Sequence, residues 1–128
     1  NAPLDIPQHE RKAVTAAYGM RSELVRLNET LAAEAAATGA KKIEIKIGIG
    51  LNTGEALVGN LGSDKRMEYT AIGDVVNVAA RLEGVAQPGQ TLVTAEVAAL
   101  AGGDFSFNSL GEHPLRGKRK PVQIFEVL

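Results

Sequence analysis

The sequence has no cysteine and no tryptophan, and only two tyrosines and three phenylalanines in 128 residues. Without cysteine there is no disulfide, no thiolate metal site and no cysteine nucleophile. Aromatics at 4% poorly supply a sheet surface that stacks bases, which argues against a nucleic-acid reader. Charge of one sign is also lacking. The formal net charge is −1, so no global field draws the chain to a polyanion, and an anion site must be local. No apolar run approaches the ~18 residues needed to span a bilayer, and the opening residues do not read as a secretory signal.

What is present is a globular composition, 45% hydrophobic and 23% charged, in a length that suits one domain or part of one. The first residue is not methionine, and "NAPLDIPQH" reads as mid-protein sequence. The expectation is that residues 1–128 are a piece of a larger domain.

Ala13, Ala17, Met20, Leu24, Leu27 and Leu31 recur at spacings of four and three, which predicts one amphipathic helix over roughly residues 8–37, stopped at Gly39. Ile43, Ile45, Ile47 and Ile49 alternate with Glu44, Lys46, Gly48 and Gly50, the period of a half-buried strand. "EALVGNLG" and "RMEYTAIG" predict two more strands joined by a hairpin. Asp74 starts a second helix that runs to about Ala86. "TLVT" is a short strand, and Thr94 is expected to cap a short helix closed by Gly102-Gly103. "FSFNSLG" and "VQIFEVL" are the last strands, joined by the basic loop "LRGKRKP". The mixture predicts an α/β or α+β sheet domain.

The glycines of "GIGLNTGEALVGNLG" do not make a dinucleotide fingerprint, because Thr53 stands where the third glycine belongs. No Gly-Lys-Ser/Thr follows for a phosphate loop. They read as places where another backbone or a ligand approaches closely. The helix after Gly73 is more informative. Val75, Val78, Leu82 and Val85 give it a core stripe. Asn77 and Arg81, one turn apart and separated by about 40° around the axis, project together from the edge of that stripe. An amide and a guanidinium converging in this way suit anionic oxygens, although spacing alone favours a solvated surface pair. Arg116, Lys118, Arg119 and Lys120 are either a solvated face or a phosphate site. His9 and His113 have no partner at metal-ligand or triad spacing and read as structural or solvated.

"GIGLNTGEALVGNLGSDKRMEYTAIGDVVNVAARLEGVAQPGQTLVT", followed by "LGEHPLRGKRKPVQIFEV", closely resembles the catalytic domain of class III nucleotidyl cyclases, with bacterial adenylate cyclases the nearest group. "NAPLDIPQHERKAV" resembles the segment before the third helix of that domain, so the likeness runs from end to end. It implies a ferredoxin-like α+β fold, here without its N-terminal strands. It also implies conversion of ATP to 3′,5′-cyclic AMP and pyrophosphate. Asn77 and Arg81 match the family's transition-state pair: the amide orients the ribose and the guanidinium holds the phosphate under attack. Thr70 matches a purine-reading position, in the adenine-selective form. Arg116 falls where the family usually has a lysine on the terminal phosphates, which keeps the charge and changes the donor geometry.

The resemblance also implies Mg2+ or Mn2+, held by two aspartates in motifs upstream of "NAPLD". Asp5, Asp64, Asp74 and Asp104 match neither motif, so no metal ligand is assigned here. In the family two domains pair head to tail and share each site. The chain is therefore expected to work as a homodimer or with a complementary cyclase domain, to be inactive alone, and to present Ile43–Ile49 as an open sheet edge. A cytoplasmic setting is expected, with no membrane contact by this segment. The competing reading is a degenerate cyclase-like module that binds nucleotide or a partner without chemistry; a ferredoxin-like nucleic-acid binder ranks below both.

Overall fold

A 30-residue helix, α1 (His9–Thr38), ends where Gly39 adopts a left-handed conformation at φ 68°, a conformation glycine takes without a Cβ penalty. The structure, a computed structural model, describes residues 2–128. Asn1, which heads the segment compared above with the approach to a cyclase helix, lies outside the described residues.

The packed stripe of α1 is not quite the predicted one. Val14 and Ala17 are buried, Arg21, Leu24, Asn28 and Leu31 are half-buried, and Met20 and Leu27 are exposed. The spacing of three and four survives, but two polar residues stand where leucine and methionine were expected. Each serves a backbone. Arg21 Nη1 donates to the Val127 carbonyl at 2.9 Å. The Asn28 carboxamide exchanges two bonds of 2.8 Å with the N–H and C=O of Ile45. A polar group in a packed face costs little once it is bonded in this way.

The main sheet has four strands in the order β1 (Ile49–Leu51), β4 (Thr91–Thr94), β6 (Val122–Val127), β5 (Phe107–His113). β1 runs parallel to β4, and β6 is antiparallel to both of its neighbours. Every residue of β4 is buried, and its side chains alternate between the two faces. Val93 joins Val14, Val97, Ala101 and Val127 beneath α1 and α3 (Ala95–Ala101). Leu92 joins Val78, Leu82, Leu115 and Ile124 beneath α2 (Asp74–Val85). The sheet is thus cored on both faces, and a fully buried side chain such as Leu82 or Ile124 contributes about 1.5–3 kcal/mol.

Three local expectations are corrected. The strand predicted from Ile43 forms a ladder only over Ile49–Leu51. Pairing starts where Gly89 N–H reaches the Ile47 carbonyl at 2.7 Å, because β4 begins just beyond Pro88 and Gly89 and offers nothing to residues 43–46. Of the α2 stripe, Val78 and Leu82 are buried and Val75 is half-buried, but Val85 is exposed, facing an open cleft beside Leu92 and Leu110. Thr94 does not cap α3 with its side chain; its hydroxyl donates to Asn52 Oδ1 at 2.8 Å. The predicted hairpin forms: β2 (Leu57–Ser63) and β3 (Arg66–Ile72) pair antiparallel, as a two-stranded sheet apart from the main one. Leu57, Met67, Tyr69 and Ile72 of this hairpin are exposed.

Candidate functional site

β3 ends at Ile72, and Gly73 turns the chain into α2 at φ 142° and ψ 172°, a conformation essentially reserved for glycine. The new helix is then fixed from two sides. Asn52 Nδ2 donates to the Val75 carbonyl at 3.1 Å while its Oδ1 accepts from Thr94. Beneath the helix, a Cβ added at Gly50 would stand 2.4 Å from both the Ala79 carbonyl oxygen and the Glu83 nitrogen. The backbone of α2 therefore rests directly on β1, which is the close approach read from the glycine run.

Asn77 and Arg81 leave this seated helix one turn apart. The Asn77 side chain is exposed, whereas Arg81 is half-buried. Arg81 Nη1 is fully covered and has no hydrogen-bond partner among the described residues. The Arg81 guanidinium lies against Gly117, where an added Cβ would be 2.9 Å from Nη2. One residue on, Lys118 Nζ donates to Asp74 Oδ2 at 2.7 Å. The basic loop is thus laid along α2 from its first residue to Arg81. Arg116, between the buried Leu115 and Gly117, is exposed. Thr70 is exposed on β3 opposite Gly59.

Of the four sequence-predicted residues, then, Arg81 and the loop bearing Arg116 are brought together, Asn77 shares their helix, and Thr70 stays out on the hairpin. A cleft of about 380 Å³ opens at the first turn of α2, lined by Asn52, Thr53, Asp74, Val78 and Lys118 among others, and none of the four lines it. The contacts not foreseen were Gly117 to Arg81 and Lys118 to Asp74. Their one signal in the sequence was a glycine set inside a basic run.

Both histidines serve local structure. His9 Nε2 lies 2.7 Å from Glu10 Oε1, and the Thr53 hydroxyl donates to the same oxygen at 3.0 Å. A backbone N–H bond at Glu10, with smaller help from Thr53 and His9 and against some desolvation, holds this carboxyl below its ordinary value. His113 Nε2 lies 3.0 Å from the Leu110 carbonyl. Among the described residues no three His, Asp or Glu side chains are grouped to hold a metal ion.

The sequence profile of the adenylate and guanylate cyclase catalytic domain matches residues 4–127. The chain belongs to this family. Adenylate cyclase 1 of Rhizobium meliloti (strain 1021) is 33% identical to the cyclase domain over 130 residues, which span 100% of this chain and 19% of that protein. Among solved structures, the adenylyl cyclase CyaB from P. aeruginosa superposes with a TM-score of 0.81 at 35% identity, covering 93% of this chain and 58% of that one. The guanylyl cyclase Cya2 gives a TM-score of 0.81 at 29% identity, over 99% of this chain and 61% of that one. The ferredoxin-like α+β class expected from the sequence is the fold of these neighbours. The cyclase domain described here thus spans about a fifth of that curated relative (19%) and about three fifths of these solved chains (58% and 61%).

Proposed function

We propose that this cyclase domain supplies the Asn77–Arg81 half of a shared adenylate cyclase site, forming cyclic AMP and pyrophosphate from ATP. The observation that carries the reading is the buried, unpartnered Nη1 of Arg81. A covered guanidinium nitrogen with no acceptor is a cost to the free chain, and an anionic phosphate oxygen removes that cost.

In the reaction the ribose 3′ hydroxyl releases its proton to water as its oxygen forms a bond to the α-phosphorus. The bond from that phosphorus to the pyrophosphate oxygen breaks, the pyrophosphate leaving with the electron pair. Negative charge spreads over the equatorial oxygens as this happens. Arg81, seated on a helix that β1 holds from below, meets that charge without reorganising. Asn77, one turn earlier, orients the ribose so that its oxygen is in line. Arg116 extends the positive loop towards the terminal phosphates. Thr70 reads the purine, and its threonine favours adenine over guanine; the adenylate cyclases among the relatives support the same choice.

Mg2+ and Mn2+, the ions that such cyclases use, find no donor set among the described residues. The metal carboxylates and the second half of the site belong to another domain in a head-to-tail dimer, either a homodimer or a complementary cyclase domain. On this reading the chain alone does not turn over ATP. The exposed apolar residues of the β2–β3 hairpin and the open outer edge of β1 support a partner-covered surface. No helix of the described residues is long and apolar enough to cross a membrane, and a nucleoside triphosphate substrate is in keeping with a cytoplasmic setting.

The test is complementation. An intact cyclase domain that keeps its metal carboxylates, but has alanine at the positions equivalent to Asn77 and Arg81, is incubated with ATP or GTP, with and without this chain. Cyclic AMP formed only in the mixture, and lost again with Asn77→Ala or Arg81→Ala in this chain, is the expected result. Silence from a chain shown to be folded would overturn the reading, and cyclic GMP as the main product would overturn the role of Thr70.

A further inference from the structure

We propose that Gly117 is a positioning residue for Arg81. Its bare face is the surface on which the guanidinium is laid, and the Lys118–Asp74 ion pair holds that face in place. The inference rests on the reading of Arg81 as the group that meets the reacting phosphate.

Three distances carry it. A Cβ at Gly117 would stand 2.9 Å from Nη2, 3.3 Å from Cζ and 3.5 Å from Nη1 of Arg81. One added carbon would thus crowd Nη2 and Cζ and come into ordinary contact with Nη1, so it would stand against the face of the group. Residue 117 also has φ +81°, in the left-handed region where glycine is at ease and alanine is strained. Glycine is therefore needed twice, for the loop and for the arginine.

An arginine is a long side chain with much rotamer freedom, and a group that must be aimed has to lose that freedom before the reaction. No hydrogen bond does this for Nη1, which is buried without a partner. Packing against Gly117 does it and leaves the donor free for the ligand. The loop itself is pinned at the next residue, where Lys118 Nζ lies 2.7 Å from Asp74 Oδ2. Asp74 opens the helix that carries Arg81, so the surface and the side chain it orients are tied to one element.

The experiment is a double-mutant cycle in an intact cyclase that carries this domain, read as kcat and KM for ATP. Gly117→Ala is expected to lower kcat by roughly 10- to 100-fold, as for a displaced transition-state donor, with KM changed less than about twofold. In an Arg81→Lys background, already slowed, the same change is expected to cost nothing further, since the group it acts through is gone. An equal loss in both backgrounds means general loop damage and overturns the proposal. So does a raised KM with kcat kept, or an unchanged kcat. If Gly117→Ala fails to fold, Lys118→Met is carried through the same cycle with the same criteria. Arg81→Lys at wild-type kcat would sink the role of Arg81 itself, and the positioning role with it. A slow Arg81→Lys with additive losses sinks only the positioning role.

Discussion

Gly50 lies under Glu83 so closely that a Cβ on the glycine would stand 2.4 Å from the Glu83 amide nitrogen. The obstacle is helix backbone, which has no rotamer to move aside. Gly50→Ala must therefore lift α2 or bend β1. It is expected to cost at least 1–3 kcal/mol, roughly the penalty of overpacking a core, read as a lower urea midpoint. Gly19 is the control. It is exposed within α1, with nothing within 4 Å of its added Cβ, so Gly19→Ala is expected to stabilise by about 0.5–1 kcal/mol. If both substitutions behave alike, the seat assigned to Gly50 is wrong.

Asn28→Ala removes both partners of the Ile45 backbone. Among the described residues no ladder partner replaces them, and about 1–2 kcal/mol should be lost. The sharper readout is local. Hydrogen exchange at the Ile45 amide should speed up strongly, while amides in β4 and β6 keep their protection. Unaltered exchange at Ile45 would mean that something other than Asn28 holds the strand.

Glu10 makes a pH prediction whose sign is fixed. Its carboxyl is held below the ordinary value in the folded chain, first by the backbone N–H bond. The resulting stability is present above the unfolded carboxylate value and disappears as pH falls through the folded one. Glu10→Gln should therefore lower the urea midpoint at neutral pH, and wild type and variant should converge in acid. A gap between them that persists through the carboxylate range would rule out this origin.

Much of this arrangement could be read from local sequence. Gly39 and Gly73 mark a helix end and a helix start because a backbone angle demands glycine there, and that demand is visible without a structure. The pair Asn77 and Arg81 was legible from helix spacing. The packed face of α1 was less so. Arg21 and Asn28 look like solvent residues, and only chain 106 and 17 positions away gives them carbonyls to bind. The docking of the basic loop was equally hidden, since Lys118 finds Asp74 across 44 residues. The strand predicted from Ile43 failed for a related reason: alternation marks a chain able to pair, and a partner decides where pairing begins.

Thr70 and Asn77 are carried on different elements joined through a single glycine. The hairpin stands apart from the main sheet, while α2 is clamped to β1. Only Gly73 lies between the end of β3 and the start of α2. On the proposed reading, base recognition would be borne by an arm and phosphate recognition by a fixed post, with one glycine between them. If that reading holds, a partner that grips the apolar side of the arm would, by the same act, set how far a bound purine sits from Arg81.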